Sequence, residues 1–155
     1  MSERVGEPPT QGAVTWNGPQ AAHPARTAAR RSMDAVSRGA KRDWLALFAD
    51  DAVVEDPIGV SMFDPEGTGH HGREAIGAFW DRAIAGVERF EFVIRDSFAA
   101  GNEVANVGTI TAHLPGGSVV DTEGVFTYRV DEAGKLLSVR AFWETDRAAA
   151  TFRRS

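Results

Sequence analysis

The stretch Leu47-Phe48-Ala49-Asp50-Asp51-Ala52-Val53-Val54-Glu55-Asp56-Pro57-Ile58-Gly59 decides how this chain is read. Val53 and Val54 favour extended backbone. Pro57 pushes the residue before it into β or polyproline geometry and withdraws a backbone donor, so Asp56 is expected on a fixed strand end. Side chains alternate along a strand, so Glu55 and Asp56 face opposite sides and only one of them enters an interior. Spacing alone leaves open which. A carboxylate held at a strand end and aimed into an apolar interior is well placed to act as a base.

On the N-terminal side of this strand, residues 41–48 carry Trp44, Leu45, Leu47 and Phe48 and predict a short helix. Before it, residues 24–38 are rich in Ala and Arg, with Ala25, Ala28, Ala29, Met33 and Val36 as an inner helical face and Gly39 as the stop. Residues 1–22 hold Gly6, Pro8, Pro9, Gly12, Gly18 and Pro19 and read as a flexible leader ahead of one domain spanning 23–155. Trp16 is the odd member of that leader, an anchor on the domain or part of a solvated tail. On the C-terminal side, residues 59–72 form a long turn-rich loop of the kind that often carries function, and residues 73–85 predict a third helix burying Ile76, Phe79, Trp80 and Ile84. Four strands follow at about 89–98, 104–114, 118–130 and 135–145. They are separated by Ala100-Gly101-Asn102, Pro115-Gly116-Gly117 and Asp131-Glu132-Ala133-Gly134. Three helices and then a run of antiparallel strands define an α+β domain, a cone of curved sheet packed against helices around a pocket.

The composition narrows the function. The 155 residues, 43% hydrophobic and 25% charged, suit one soluble globular domain with a sizeable core. A net charge of −5 argues against a nucleic-acid partner. The basic residues Arg26, Arg30, Arg31, Arg38, Lys41 and Arg42 read as a solvated helix face. Cysteine is absent, which excludes disulfides and thiolate chemistry. No stretch approaches the roughly 18 apolar residues of a membrane span, and residues 1–20 lack the pattern of a signal peptide, so the expectation is a cytoplasmic protein.

Three segments, Trp44 to Gly59, Gly72-Arg-Glu-Ala-Ile-Gly-Ala-Phe-Trp80 and Ala133-Gly-Lys-Leu-Leu-Ser-Val-Arg-Ala-Phe-Trp143, resemble Δ5-3-ketosteroid isomerase and its relatives. Nearly everything after about residue 27 follows that pattern. The order of elements also resembles the wider nuclear-transport-factor-2-like (NTF2-like) and SnoaL-like group, which includes epoxide-hydrolase-like enzymes and polyketide cyclases. The resemblance implies a cofactor-independent enzyme, a homodimer through the outer sheet face, and an apolar small-molecule substrate. It makes Asp56 the base that moves a proton between carbons beside a dienolate. The family's two oxyanion donors, a tyrosine and a protonated aspartate, fall on Ser32 and Phe126, neither of which replaces them. An oxyanion donor is commonly worth about 3 to 4 kcal/mol. Three outcomes stay open: Tyr128, His113 or Trp143 supplies a substitute donor, the chemistry differs, or the pocket binds without reacting. The loop from Val60 to His71 is longer than in the isomerase and implies a reshaped pocket mouth.

By the same alignment Trp80, Phe126, Tyr128 and Trp143 line the cavity, where aromatic walls suit a flat polycyclic or polyene ligand and desolvate Asp56. An epoxide-opening or ring-closing enzyme would need a second carboxylic acid facing Asp56. Asp121 and Glu123 are the candidates, although alternation puts both on the face opposite Phe126 unless Gly124 marks a bulge. Asp50 and Asp51 read as caps of the turn between helix and strand. The pair His70-His71 suggests no third ligand at metal-binding spacing, so no metal is assigned.

Overall fold

The structure, a computed structural model, describes residues 13–154. The elements in chain order are β1 (Val14–Trp16), α1 (Pro24–Ser37), α2 (Lys41–Leu45), β2 (Phe48–Glu55), β3 (His70–His71) and α3 (Gly72–Ala83). They continue with β4 (Arg89–Ala100), β5 (Glu103–His113), β6 (Ser118–Val130), β7 (Leu136–Phe142), α4 (Thr145–Ala149) and β8 (Arg153–Arg154). The strands form one curved sheet in the order β1-β4-β5-β6-β7-β2-β3, with β8 on β6. The central β4 to β7 run is an antiparallel meander, as the three turn signals require. Its first hairpin closes over the two residues Gly101 and Asn102, with Gly101 at φ 62°.

The sheet is mixed rather than wholly antiparallel, which corrects the sequence expectation. β2 runs parallel to β7, and β1 runs parallel to β4. Neither pair is joined by a hairpin. The chain leaves β2 through β3 and α3 before reaching β4, so long connections set the direction of the edge strands. A register shift between Ile94 and Asp96 bends β4, and the alternation resumes beyond it.

Two faces result. The concave one carries Phe92, Ile94, Val104, Phe126, Tyr128, Val139 and Ala141, all buried. Against it lies α1, whose Ala25, Ala28, Ala29 and Met33 are buried at helical spacing. Small alanines let the helix approach the sheet closely. Arg26 belongs to this inner side as well, so it is not part of a solvated face. It is 7% exposed and donates to Ser97 Oγ at 3.0 Å and to Ala21 O at 2.8 Å. Among the described residues, no helix is long and apolar enough to cross a membrane.

The expected leader divides. Residues 1–12 lie outside the described part, while Val14–Trp16 adds a strand to the sheet edge, with Phe92 N donating to Ala13 O at 2.6 Å. Trp16 is an anchor: it packs toward Met33, Phe92 and Ile94, and the Arg30 guanidinium sits 4.7 Å over its ring. Asp50 and Asp51 are exposed strand residues instead of turn caps. The second helix ends at Leu45, Phe48 already begins β2, and Asp50 takes an ion pair from Arg73 at 2.7 Å.

Candidate active site

The register of β2 against β7 resolves the Glu55/Asp56 alternative. Val54 opposes Val139 on the concave face, and Glu55 opposes Arg140 on the convex one, where the two form an ion pair at 2.7 Å. Asp56 therefore turns inward. The peptide bond before Pro57 is cis, and Ile58 N donates to Ala141 O at 3.0 Å, pinning the chain back onto β7 just past the carboxylate. Trp143, immediately beyond β7, donates its indole N–H to Asp56 Oδ1 at 2.6 Å. This is a charge-assisted bond to a group that faces no cation.

Burial pushes the Asp56 carboxyl above its ordinary value, and the Trp143 bond pulls part of that back. Tyr128, on β6 and opposite Val139, shares this interior. Burial first, and the Asp56 charge second, push its phenol far above the usual tyrosine range. The hydroxyl therefore stays protonated, and it makes no hydrogen bond among the described residues. A raised carboxylate base sharing an interior with an uncommitted O–H donor can take a proton from carbon while the donor meets charge developing on an oxygen of the same molecule.

The surroundings are aromatic. Trp80 packs at 5.1 Å, tilted by 46°, against Trp44, which stands edge-on to Phe48 at 4.8 Å, and Phe126 is buried in the same cluster. Ser32 is buried on the inner side of α1 and accepts from Trp44 Nε1 at 3.0 Å. A hollow of about 280 Å³ lies between the end of α1 and the end of α3, lined by Val36, Trp80, Ile84 and Phe90 among others, so Trp80 is both its wall and part of the core. A second, of about 360 Å³, lies beside the start of α1 near His23, Thr27 and Arg31. Neither is lined by Asp56. The chemistry is located by the buried carboxyl and its donors, since a hollow by itself selects no reaction.

The structure brings Asp56, Tyr128, Trp143, Phe126, Trp80 and Ser32 to the concave side. It does not bring the remaining candidates there. His113 sits on the convex face, where Nε2 is 2.8 Å from Glu91. Asp121 is held on that face by Thr111 Oγ1 at 2.7 Å and Arg153 at 3.0 Å, and Glu123 pairs with Arg95 at 3.1 Å. The β5–β6 register runs unbroken through Gly124, so the bulge that would have turned either carboxylate inward is absent. Gly124 serves a close approach instead: a Cβ there would lie 2.2 Å from Phe142 O. His70 and His71 diverge, the first stacked 4.8 Å from Phe79 and the second bonded to Thr68 O.

Sequence reasoning missed two residues of this interior. Trp44 reads in the sequence as an apolar helix position, whereas in the structure its indole N–H donates to the Ser32 oxygen. Asn106 was not singled out, although it is a lone amide on the concave side of β5, where Val104 and Ile110 share its alternation. A single polar residue in an apolar alternation was the available signal.

A curved, unclosed mixed sheet with a few helices packed in its concave side is the architecture of the NTF2-like class. The SnoaL-like domain model matches residues 29–139, and the chain belongs to this family, among its ketosteroid isomerase-like members. It is 31% identical over 118 residues to the steroid Delta-isomerase of Nocardioides simplex, spanning 76% of this chain and 88% of that one. The Delta 5-3-ketosteroid isomerase from Mycobacterium sp. shares 36% identity, 86% of this chain and all of its own, with a TM-score of 0.77. A Mycobacterium tuberculosis protein crystallised with estradiol-17beta-hemisuccinate shares 36% identity over 85% of this chain and 99% of its own, with a TM-score of 0.76.

Proposed function

We propose that this protein is an isomerase-like enzyme that transfers a proton within a flat, apolar, carbonyl-bearing polycycle, with Asp56 as its base. One observation carries the reading: Asp56 is the inward carboxylate, raised by burial, bonded only to Trp143, and its charge reaches the uncommitted phenol of Tyr128 on the same concave face. The Asp56 carboxylate takes a proton from a carbon flanked by a carbonyl and an alkene. The electrons of that C–H bond enter a dienolate whose oxygen accepts from Tyr128. The same carboxylic acid then returns the proton to the far carbon, which regenerates the base with no cofactor or co-reactant. The ligand class is supported by the steroid named with one relative and by the activity named for two others.

A non-catalytic carrier is the second reading, favoured by a specific observation. Phe126 offers no donor and the Ser32 oxygen is held at 3.0 Å by the Trp44 indole, with no bond to Asp56, so the hydroxyl that the Asp56 charge reaches is that of Tyr128. The outward Asp121 and Glu123 leave epoxide opening without its second acid. Ultraviolet-monitored turnover of a β,γ-unsaturated 3-ketosteroid by wild type and Asp56→Asn, with product binding measured on both, separates the readings. The enzyme reading requires turnover by wild type and binding without turnover by the variant. Binding without turnover by wild type replaces it with the carrier. The same proposal expects a cytoplasmic homodimer joined through the convex face, where Val93, Phe98 and Phe142 are exposed. Sedimentation at equilibrium tests the assembly.

A further inference from the structure

Asn106 is fully buried, and neither its Oδ1 nor its Nδ2 has a hydrogen-bond partner, the only such side chain among the described residues. An amide removed from water with nothing in exchange is costly, and native interiors almost never keep one without a reason. Packing supplies none here. The cross-strand neighbours of Asn106 are Phe126 on β6 and Ser97 on β4, with Tyr128 two residues along β6 from Phe126. Ser97 Oγ accepts instead from Arg26 Nε at 3.0 Å, and the other interior hydroxyl, Ser32, accepts from Trp44. An aliphatic side chain of similar volume would suit these surroundings better.

The orphan amide lies on the same concave face as Asp56 and Tyr128. Adjacent strands lie about 4.8 Å apart, and β2, β7, β6 and β5 are successive in the sheet, so Asp56 and Asn106 stand roughly 14 Å apart along it before curvature and inward reach shorten the gap. A flat polycycle has the length to span that gap, whereas a small acid or alcohol does not. An amide donates through Nδ2 and accepts through Oδ1, so it can meet a ketone or a hydroxyl.

We propose that the Asn106 side chain is the polar contact that reads an oxygen of the bound polycycle, and so determines which skeletons this interior accepts. This rests on the proposed function in one respect only: that a polycyclic ligand occupies the concave interior. Catalysis is not required.

The test compares 5α-androstane-3,17-dione with 5α-androstan-3-one, which keeps the C3 carbonyl for Tyr128 and lacks the distal oxygen. Binding is followed by tryptophan fluorescence on wild type, Asn106→Leu and, should leucine overpack, Asn106→Ala. Wild type is expected to prefer the dione. The variants are expected to lose about tenfold in affinity for the dione while holding the 3-monoketone at least as well. Ligand-free Asn106→Leu is expected to melt no lower than wild type, because the stranded amide is gone. Unchanged dione affinity in the variants, or equal weakening of both ligands, overturns the role of Asn106 and leaves the proposed function standing. Wild type that binds neither steroid overturns both. Asp56→Asn is expected to keep the dione preference, which separates recognition from proton transfer.

Discussion

Replacing Trp143 by Phe isolates what controls the base. The variant keeps a six-membered aromatic ring and removes the pyrrole half of the indole, and with it the N–H that reaches Asp56 Oδ1 at 2.6 Å. A hydrogen bond to a charged acceptor is worth about 1.5 to 3 kcal/mol, and one pH unit of displacement corresponds to about 1.4 kcal/mol. Burial already holds the carboxyl up and Trp143 alone opposes it, so the deletion leaves the upward cause unopposed. The Asp56 midpoint should rise by about one to two pH units. Carbon-detected NMR of the side-chain carboxyl reads this without any substrate. The acid limb of kcat/KM should move by the same amount if the protein turns over. Glu55→Gln is the control: that carboxylate pairs with Arg140 on the other face, and its loss should leave the midpoint of Asp56 where it was. A midpoint in Trp143→Phe that stays put or falls refutes the electrostatic account of the site.

The raised Asp56 also makes a stability prediction with a definite sign. A carboxyl whose folded value lies above its unfolded one favours folding most below the unfolded value, and that contribution is lost as pH climbs through the folded one. Asp56→Asn should therefore melt above wild type at neutral pH, and the gap should close as the pH falls toward 4, a trend that thermal melts across pH would show. Tyr128→Phe should keep the fold and lower turnover by about 10²- to 10³-fold, as removal of an oxyanion donor does; unchanged kcat removes Tyr128 from the chemistry. Gly124→Ala should cost about 1 to 3 kcal/mol in denaturant unfolding, because its Cβ meets the backbone carbonyl of Phe142, which cannot swing aside.

Local signals carried most of the fold. The alanine spacing of residues 25–33, the glycine-bearing turns at 101, 116 and 134, and the proline after Asp56 each act over a few residues. The corresponding helix and hairpins stand where those signals put them. What stayed hidden depends on partners far away in sequence. Only Arg140 and Trp143, more than 80 residues on, decide that Glu55 faces out and Asp56 in. The strand at Val14–Trp16 has no alternation long enough to announce itself and exists because β4 leaves an edge to be paired. His113 was placed on a strand correctly, but its face follows from the register with β6 and β4, which the sequence does not print. Asp121 and Glu123 were already on the outer face by simple alternation, and the glycine that seemed to offer an exception answered a steric demand from β7.

The aromatic interior that raises Asp56 also governs how a ligand enters. The hollow between α1 and α3, about 280 Å³, lies at the lower edge of the roughly 300 to 1,000 Å³ typical of ligand pockets, and Trp80 separates it from the cluster around Trp44 and Phe126. Neither hollow touches Asp56, so a polycycle that enters past Trp80 must shift rings that pack against one another in the free chain. The cost of that shift weakens apparent affinity by the fraction of molecules already open. Replacing Trp80 by Leu removes the shared wall while keeping the site apolar, so it should tighten steroid binding even as it lowers the melting temperature of the free protein through lost packing. Opposite signs in the two measurements are what a plug at the mouth demands. A parallel loss of affinity and stability would make Trp80 a simple wall of a pocket already open.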